Sequence, residues 1–358
     1  MMKIFYFSPI SWNCIKQRPH FLVESFARLG HEVCFFSRNA IGRADNHVSS
    51  PLPGLIVKER GVLPFALRIP VIDSINSYYL RKSIHWEDFD ILLFTEPRHF
   101  LLWPFSDGFR GKIIYDCMDR IPEFYSGNVK ARMEAYEQAL CNRVDAIVVS
   151  SRSLERHLIS KYSISSGKIS LVRNAVNDDI AADRSPAIKR GIVYVGAIDS
   201  WFDWSVISMY AQKHPERIIT LIGPVHVRPE ILPSNIILIG KIPHDQAMRY
   251  IRGAELLLVP FKVNSLIEAV DPVKMYEYLA FGKNVLSAYW SELEHFLPNQ
   301  HLRFYRSFNE FEDGVESILT SISVCDEDTV DNDFIMKNNW IARSREFLNV
   351  FPGPPRTL

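Results

Sequence analysis

The sequence lacks an excess of charge of either sign. Its 358 residues carry 41 basic and 41 acidic side chains, so the formal net charge at pH 7 is zero. Proteins that bind nucleic acids usually carry a basic excess, because phosphate contacts dominate their affinity. The balance therefore argues against a nucleic-acid partner. The rest of the composition, 47% hydrophobic and 23% charged, is typical of a globular chain that is long enough for two domains.

Cysteine is scarce, and its spacing forms no motif. The five cysteines are odd in number, widely separated and without a CxxC pair, and they are Cys14, Cys34, Cys117, Cys141 and Cys325. This argues against a disulfide framework or a zinc site and predicts reduced core thiols of a cytosolic protein. No His/Cys/Asp cluster has the spacing of metal ligands. Asp199 and Asp203 flank Trp201 without forming a DxD motif, so we expect no metal.

Long hydrophobic runs are also missing. No stretch approaches the roughly 18 uninterrupted apolar residues of a membrane span, and the apolar run in MMKIFYFSPISWN is too short for a signal peptide. We expect a cytoplasmic protein, with peripheral contact at the inner face of a membrane left open. The segment GVLPFALRIPVIDSINSYYLRKSIHW mixes apolar residues with Arg68, Arg81 and Lys82. It either docks on an anionic leaflet or packs as a helix on the first sheet.

Short apolar runs alternate with helical patterns along the whole chain, from KIFYFSP near the N-terminus to NVLSAYW near residue 290. This alternation is typical of parallel sheets with crossover helices. The polar, Pro- and Gly-marked stretch from Asn177 to Gly191 interrupts it and predicts a linker. We predict an α/β protein of two doubly wound, Rossmann-like domains facing across a cleft: residues 1–180, a linker at 181–191, and residues 192–335.

One stretch of the second domain, EAVDPVKMYEYLAFGKNVLSAYWSELE, carries chemistry at close spacing. Pro272 stands in the first turn of a predicted helix, whose free amides and dipole attract an anion. Lys274 adds a positive charge within that turn, and Glu277 lies one turn further along the same face. Phosphates on the helix end and a ribose on the carboxylate would make a nucleotide-diphosphate site. The alternative is a surface ion pair at i, i+3.

Glycines follow three β-rich runs of the second domain, at Gly196, Gly223 and Gly240. Either they let the backbone approach a ligand or they are turn residues.

In the first domain, Asp116 and Asp119 follow the apolar run KIIY. A carboxylate in a partly dry cleft can take the proton of an attacking hydroxyl, and Asp119 is the better placed of the two. Both are alternatively turn or cap residues. Arg18 and His20 either bind a phosphate or acceptor group or begin a helix.

The run DPVKMYEYLAFGKNVLSA, preceded by AELLLVPF, resembles the donor-binding signature of GT-B fold glycosyltransferases, especially family 4 and related bacterial polysaccharide enzymes. Similar segments cover nearly all of the chain in the family's order, among them QRPHFLVESFARLGHEV, YDCMDR, LVRNAVN, YVGAIDSWFDW, LIGPV and NNWIARSREFL. The chain departs from the pattern at Ala269, where many family 4 members carry a glutamate, and at Asn284, where a proline is usual.

The resemblance implies roles for individual residues. Glu277 would hold the donor ribose and Lys274 would face the donor phosphates. The turn GKIPHDQ, with Ile242, would hold the nucleobase. A C-terminal helix, residues 336–358, would return to the first domain. The remaining donor-binding positions are the loop residues Asp271, Pro272 and Val273, which would offer backbone amides, and the cleft-facing Gly196, Asp199 and Gly223.

The resemblance further implies the reaction. A sugar would move from a nucleotide-diphosphate-sugar, the co-substrate, to a saccharide or lipid-linked acceptor in the synthesis of a bacterial cell-surface polysaccharide. No other cofactor is expected. Two alternatives stay open. A GT-B sugar-nucleotide epimerase would turn over the donor with no acceptor present, and a catalytically silent nucleotide-binding or scaffold protein would bind nucleoside diphosphate without turnover.

Overall fold

The computed structural model describes residues 1–14, 16–40, 48–103, 109–177, 180, 185–321 and 330–350. Parts of the predicted linker (residues 181–184) and of the predicted C-terminal helix segment (351–358), as well as Cys325, lie outside the described residues. The chain divides into two compact units. One comprises Met1–Arg173 with the chain from Trp340 onward, and the other comprises Asn174–Asn339.

The first unit is built on an eight-stranded sheet in the order β3-β4-β2-β1-β5-β6-β7-β8. Neighbouring strands run parallel except β3 and β4, which pair antiparallel at one edge. The central strands are continuous apolar runs because helices cover both faces of such a sheet. The strands are β1 (Lys3–Ser8), β2 (Glu32–Ala40), β3 (Val48–Leu52), β4 (Leu55–Val62), β5 (Ile91–Phe94), β6 (Lys112–Cys117), β7 (Ala146–Val149) and β8 (Ile169–Leu171).

Five helices belong to this unit within the described residues: α1 (Arg18–Arg28), α2 (Pro70–Lys82), α3 (Gly127–Arg143), α4 (Arg152–Tyr162) and α10 (Trp340–Asn349). Helix α1 has a proline in its first turn, and just beyond its end Gly30 adopts a φ of +88°, a conformation that glycine accepts without strain. Helix α10 packs on α1: the rings of Phe21 and Trp340 stack with centroids 5.3 Å apart.

The second unit has a six-stranded, wholly parallel sheet in the order β11-β10-β9-β12-β13-β14. Its strands are β9 (Arg190–Val195), β10 (Ile219–Ile222), β11 (Ile236–Gly240), β12 (Ala254–Val259), β13 (Val285–Ala288) and β14 (Leu302–Tyr305). Its helices are α5 (Trp204–Lys213), α6 (His244–Gly253), α7 (Val273–Ala280), α8 (Phe308–Ser321) and α9 (Asn332–Lys337). The strand order reverses between β9 and β12, and ligands of such sheets bind beyond the carboxyl ends of the strands at this point.

Two doubly wound α/β units are therefore present, as the alternating pattern predicts. The pattern did not reveal the β3–β4 edge, β14 or α8. The predicted last helix is broken at Asn338 and Asn339, whose side-chain amides donate to the carbonyls of Phe334 and Ile335 at 2.9 and 3.1 Å. Such side-chain bonds compete with helix propagation. Among the described residues, no helix combines the length and apolarity that crossing a bilayer requires.

Candidate functional site

Helix α7 starts directly after Asp271 and Pro272 in the second unit. Pro272 is the N-cap, with φ −80° and ψ 118°, and it has no N–H to offer a ligand. The Asp271 carboxylate is buried and turned into the protein, where it accepts hydrogen bonds from the Asn174 amide at 2.7 Å and the Tyr276 hydroxyl at 3.0 Å. Asp271 therefore fixes the start of α7, and the donors of this loop are the first helical amides, beginning with Val273.

Lys274 projects from the first turn of α7 into an aromatic cage. Its Nζ donates to the Tyr194 hydroxyl at 2.9 Å and lies 4.2 Å from the centre of that ring and 4.7 Å from the centre of the Phe261 ring. Burial lowers the pKa of this ammonium to about 7, against the opposing effect of Glu277. Burial disfavours the charged form of this ammonium, and a bound anion at the helix N-terminus would restore that charge.

Two glycines make room for that ammonium. Gly196, just after β9, has a φ of +149°, and a Cβ there would lie 2.4 Å from the Lys274 Nζ. Gly223, just after β10, has a φ of +138°, and a Cβ there would lie 2.1 Å from the Gly196 carbonyl oxygen. The backbone turns after two neighbouring strands thus approach each other and Lys274 more closely than any side chain would permit.

Glu277 is buried on the next turn of α7, where its Oε1 lies 3.0 Å from the His244 Nε2. His244 begins α6, directly after the turn that contains the half-buried Ile242. The structure therefore places the predicted ribose-binding carboxylate beside the predicted nucleobase turn. Among the described residues Glu277 forms no ion pair with Lys274, and its carboxylate contacts the His244 imidazole, a contact that is ionic when the histidine is protonated.

Asp199 stands apart from this cluster. It lies in the loop after β9, where its carboxylate accepts a hydrogen bond from the Ser200 amide at 2.6 Å. The hydrogen bonds among the described residues join it to neither Lys274 nor Glu277. No group of three or more His, Cys, Asp or Glu residues that could hold a metal ion occurs in the described parts of the chain.

In the first unit, Asp119 follows β6 at the carboxyl edge of the sheet. Its backbone carbonyl accepts a hydrogen bond from the Ile121 amide at 2.9 Å, while its half-buried carboxylate forms no hydrogen bond or ion pair within the described residues. Burial raises the pKa of this carboxyl group to about 7, and the positive charge of Arg18 opposes the rise. A carboxylate with this pKa can accept a proton near neutral pH.

Asp116 and Arg18 form a buried ion pair. The Arg18 Nη2 donates to Asp116 at 2.9 Å, its Nη1 donates to the Val172 carbonyl at 2.9 Å, and the Tyr6 hydroxyl donates to Asp116 at 3.2 Å. Arg18 therefore ties α1 to β6 and to the end of the unit and is not directed to a phosphate. His20 is wholly buried, and its Nδ1 accepts from the Gln17 amide at 3.2 Å.

A separate cavity of about 400 Å³ lies in the second unit beyond the carboxyl ends of β12, β13 and β14, next to the start of α5. None of the sequence-predicted site residues lines it. Its wall shares Phe261 with the cage of Lys274, and its other lining residues include Asp203, Lys262, Tyr289, Tyr305 and Arg306.

Sequence reasoning missed Tyr194 and Phe261 as partners of Lys274, and it did not connect His244 with Glu277. Tyr194 and Phe261 belong to apolar runs and read as core residues. Tyr194 stands two residues before Gly196, and Phe261 stands two residues after the end of β12. Both lie where the strand order reverses, and this position could have indicated a role at the site.

Two glycosyltransferase family models match this chain, one in each half. Residues 20–180 match Glycosyltransferase Family 4, and residues 206–322 match a glycosyl transferase-like family.

Among characterised sequences, the chain is 27% identical over 198 residues to a protein of Bacillus subtilis (strain 168) assigned to teichuronic acid biosynthesis as the glycosyltransferase TuaH. The match covers 49% of this chain and 50% of that protein, so the chain spans about half the length of this curated relative.

Solved structures share the fold over nearly the full length. A sucrose-phosphate synthase from Thermosynechococcus elongatus superposes with a TM-score of 0.75 at 14% identity, covering 98% of both chains. Anabaena HepE in complex with UDP-glucose superposes with a TM-score of 0.67 at 13% identity, covering 98% of this chain and 99% of its own. At such identities the likeness shows the fold.

Proposed function

We propose that this chain, which consists of two glycosyltransferase domains in the GT-B fold, transfers a sugar from a nucleotide-diphosphate-sugar to a saccharide or lipid-linked acceptor. The donor binds the second unit at Lys274, Glu277 and the first turn of α7. The acceptor binds the first unit near Asp119. The likeness to HepE, which was solved with UDP-glucose, supports the donor class, and the likeness to TuaH, which is assigned to teichuronic acid biosynthesis, supports polysaccharide synthesis.

The cage of Lys274 is the observation that carries this proposal. A lysine that has lost solvation gains strongly from an anion, and a diphosphate placed on the N-terminus of α7 supplies two phosphate groups at that point. The Gly196 and Gly223 turns bring backbone within reach of the same ligand. Glu277 accepts from the ribose hydroxyls, and the Ile242 turn holds the base. Metal ions have no assigned part in this arrangement.

The proposed transfer step uses the two groups whose pKa values burial brings to about 7, Asp119 and Lys274. The Asp119 carboxylate takes the proton of the acceptor hydroxyl as that oxygen attacks the anomeric carbon of the donor. The bond between the anomeric carbon and the diphosphate oxygen breaks, and the nucleoside diphosphate leaves with the bonding electrons. Its negative charge develops against the Lys274 ammonium and the α7 amides, which stabilise it more in the transition state than in the ground state.

The test combines donor binding with turnover. A panel of nucleotide-sugars is screened by thermal shift, because a ligand that binds only the folded state raises the melting temperature. The donor that binds is then incubated with candidate saccharide and lipid-linked acceptors. Lys274→Ala is expected to lower turnover more than donor affinity, whereas Asp119→Asn keeps donor affinity and loses transfer.

Three results would contradict the proposal. Wild-type affinity for nucleoside diphosphate in Lys274→Ala would mean that the donor site lies elsewhere. Normal transfer by Asp119→Asn would mean that the base lies elsewhere or that the reaction is a retaining one that needs none. Conversion of the donor to an epimer with no acceptor present would identify an epimerase.

A further inference from the structure

A patch of exposed apolar side chains lies on one segment of the first unit, residues 63–82, which ends in helix α2. Large apolar side chains that are exposed close together in one segment are typical of an interaction site. The patch consists of seven large hydrophobic residues with exposed fractions between 40% and 69%: Leu63, Phe65, Ile69, Val71, Ile75, Tyr78 and Tyr79.

The amphipathicity of α2 is the reverse of that of an ordinary surface helix. Its buried residues are Asp73, Asn76, Ser77 and Leu80, so mostly polar side chains face the protein. Val71, Ile75 and Tyr78, which share the opposite face at helical spacing, are exposed. Surface helices of globular proteins direct their apolar stripe to the core, and an outward apolar stripe therefore implies a second surface that covers it.

The polar face of α2 is held firmly. Asp73 accepts two hydrogen bonds from the Arg98 guanidinium, at 2.7 and 3.0 Å. The Asn76 side chain bonds both the N–H and the carbonyl of Leu63, at 2.9 and 3.0 Å. Because the buried Asp73 and Asn76 side chains are satisfied, the helix cannot turn its apolar face inward without breaking their hydrogen bonds.

The loop before α2 holds one aromatic ring in solvent. Phe65 has a φ of +64°, a conformation that costs a non-glycine residue energy, and its side chain is 63% exposed. Its carbonyl accepts from the amides of Arg68 and Ile69, at 2.9 Å each. Arg132 donates to the Leu67 carbonyl. The strained turn is thus fixed by hydrogen bonds and keeps Phe65 at the surface.

The charged side chains that the segment itself exposes are basic. Between residues 61 and 85 the sequence has one acidic residue, Asp73, which is buried and paired. The basic residues are Arg68, Arg81 and Lys82, and the last two lie 5.6 and 4.8 Å from the centre of the Tyr78 ring. Apolar side chains, tyrosines and cations at one surface are the combination that binds the headgroup region of an anionic bilayer.

We propose that the exposed face of residues 63–82 docks on an anionic lipid bilayer, with Phe65, Val71 and Tyr79 inserted among the lipids and Arg68, Arg81 and Lys82 on the headgroups. This inference extends the proposed function by placing the enzyme where a lipid-linked acceptor is found. Asp73 on α2 holds Arg98, which follows β5, and β5 is the neighbour of β6, the strand before Asp119. The docking helix is thus anchored to the sheet edge that carries the proposed base.

The experiment is co-sedimentation of the full chain with vesicles of phosphatidylcholine alone or mixed with an equal part of phosphatidylglycerol. Wild type is expected to bind the anionic vesicles, less so at high salt. Each cation near an anionic surface contributes about fivefold in affinity, or about 1 kcal/mol, so combined R68Q, R81Q and K82Q should lower affinity about 100-fold. Combined F65N, V71S and Y79S should abolish binding while leaving the melting temperature unchanged. The matched control combines three exposed cations from elsewhere, R156Q, R228Q and R345Q, and should bind like wild type.

Several outcomes would overturn the proposal. The proposal fails if the wild type stays in the supernatant with anionic vesicles. It also fails if the basic-patch variant, which combines R68Q, R81Q and K82Q, binds no worse than its matched control. A dimer in solution that F65N, V71S and Y79S dissociate, with no vesicle binding, would make a second copy of the chain the occupant. Vesicle binding is measured without donor or acceptor, so it can succeed where transfer fails. Transfer to a short soluble acceptor should be the same in the basic-patch variant and in wild type.

Discussion

At the scale of single residues, Lys274 and Glu277 occupy different environments on the same helix. Lys274 is held between two aromatic rings, with its pKa lowered to about 7 by burial. Glu277 faces His244 across 3.0 Å. A helix places residues i and i+3 on one face, yet these two side chains meet different neighbours, and the charge of Glu277 acts on the pKa of Lys274 without a direct contact.

The first prediction concerns the proton of Lys274. In the free enzyme its pKa is about 7, and a bound diphosphate raises that pKa because it is an opposite charge at close range. One pH unit above the free pKa, donor binding should therefore take up a proton, and affinity should fall as the pH rises further. Calorimetry in buffers of different ionisation enthalpy measures this uptake.

Lys274→Arg is the control, because a guanidinium stays charged throughout this range. Its binding should show no uptake from this position. Equal proton uptake in the wild type and in Lys274→Arg would mean that the lysine is not beside the phosphates.

The second prediction concerns Glu277 and the ribose. Glu277→Gln keeps the shape but loses charge-assisted hydrogen bonds, which should cost about 1.5–3 kcal/mol of nucleoside-diphosphate affinity, or about 10- to 150-fold. Wild type should also prefer a ribonucleoside diphosphate over its deoxy analogue, and Glu277→Gln should lose that preference. Should the variant discriminate as well as wild type, Glu277 would serve only to hold His244.

At the scale of elements, the turns after β9 and β10 form one unit with the start of α7. Gly223 allows the Gly196 carbonyl to approach, and Gly196 in turn makes room for the Lys274 side chain. Asp271 fixes the other side of the Lys274 site through Asn174 and Tyr276. The geometry of the proposed phosphate site therefore depends on several backbone segments together and not on one side chain.

The third prediction follows from this packing. Gly223→Ala places a Cβ at φ +138° and 2.1 Å from the Gly196 carbonyl oxygen, so that turn must shift. The strain should lower the free energy of unfolding by at least about 1–3 kcal/mol and weaken donor binding. Denaturant unfolding and calorimetry check both effects.

Gly167→Ala is the matched control, because a Cβ there meets only the Ser165 hydroxyl oxygen, at 3.8 Å. It should leave both quantities unchanged. Wild-type donor affinity in Gly223→Ala would separate this turn from the donor site.

At the scale of the whole molecule, each unit contains one of the two titrating groups of the proposed reaction. The pKa of Asp119 is raised to about 7 and that of Lys274 is lowered to about 7. The shifts have opposite directions because one group is an acid that becomes negative and the other a base that becomes positive. In both cases burial disfavours the charged form. The proposed reaction needs both charged forms, the carboxylate and the ammonium.

The fourth prediction is the pH dependence of the whole reaction. The rate constant kcat/KM should rise with pH as Asp119 loses its proton and fall again as free Lys274 loses its own, giving a bell with its maximum near pH 7. In kcat the alkaline limb should move to higher pH, since the bound diphosphate keeps Lys274 protonated. Initial rates across the pH range measure both limbs. An alkaline limb that is the same in kcat and kcat/KM would contradict the assignment to Lys274.

The sequence by itself determined the class of fold and predicted the segment that carries the candidate donor site. Alternating apolar runs and helical patterns predict parallel sheets because local hydrophobic periodicity reports which faces are buried. The segment from Pro272 to Glu277 could be recognised because helix geometry puts those residues at one end and on one face. These are local relations, and local relations can be derived from spacing.

Only the tertiary structure decided which side chains meet across long separations in sequence. Arg18 pairs with Asp116, Tyr194 and Phe261 enclose Lys274, and His244 faces Glu277. The tertiary structure also decided which face of α2 is exposed. The periodicity of the sequence fits a helix whose apolar face packs on the sheet equally well, but the contacts of Asp73 and Asn76 turn the polar face inward. Periodicity shows that a helix has two faces. Which face is buried depends on the hydrogen-bond partners that the rest of the fold supplies.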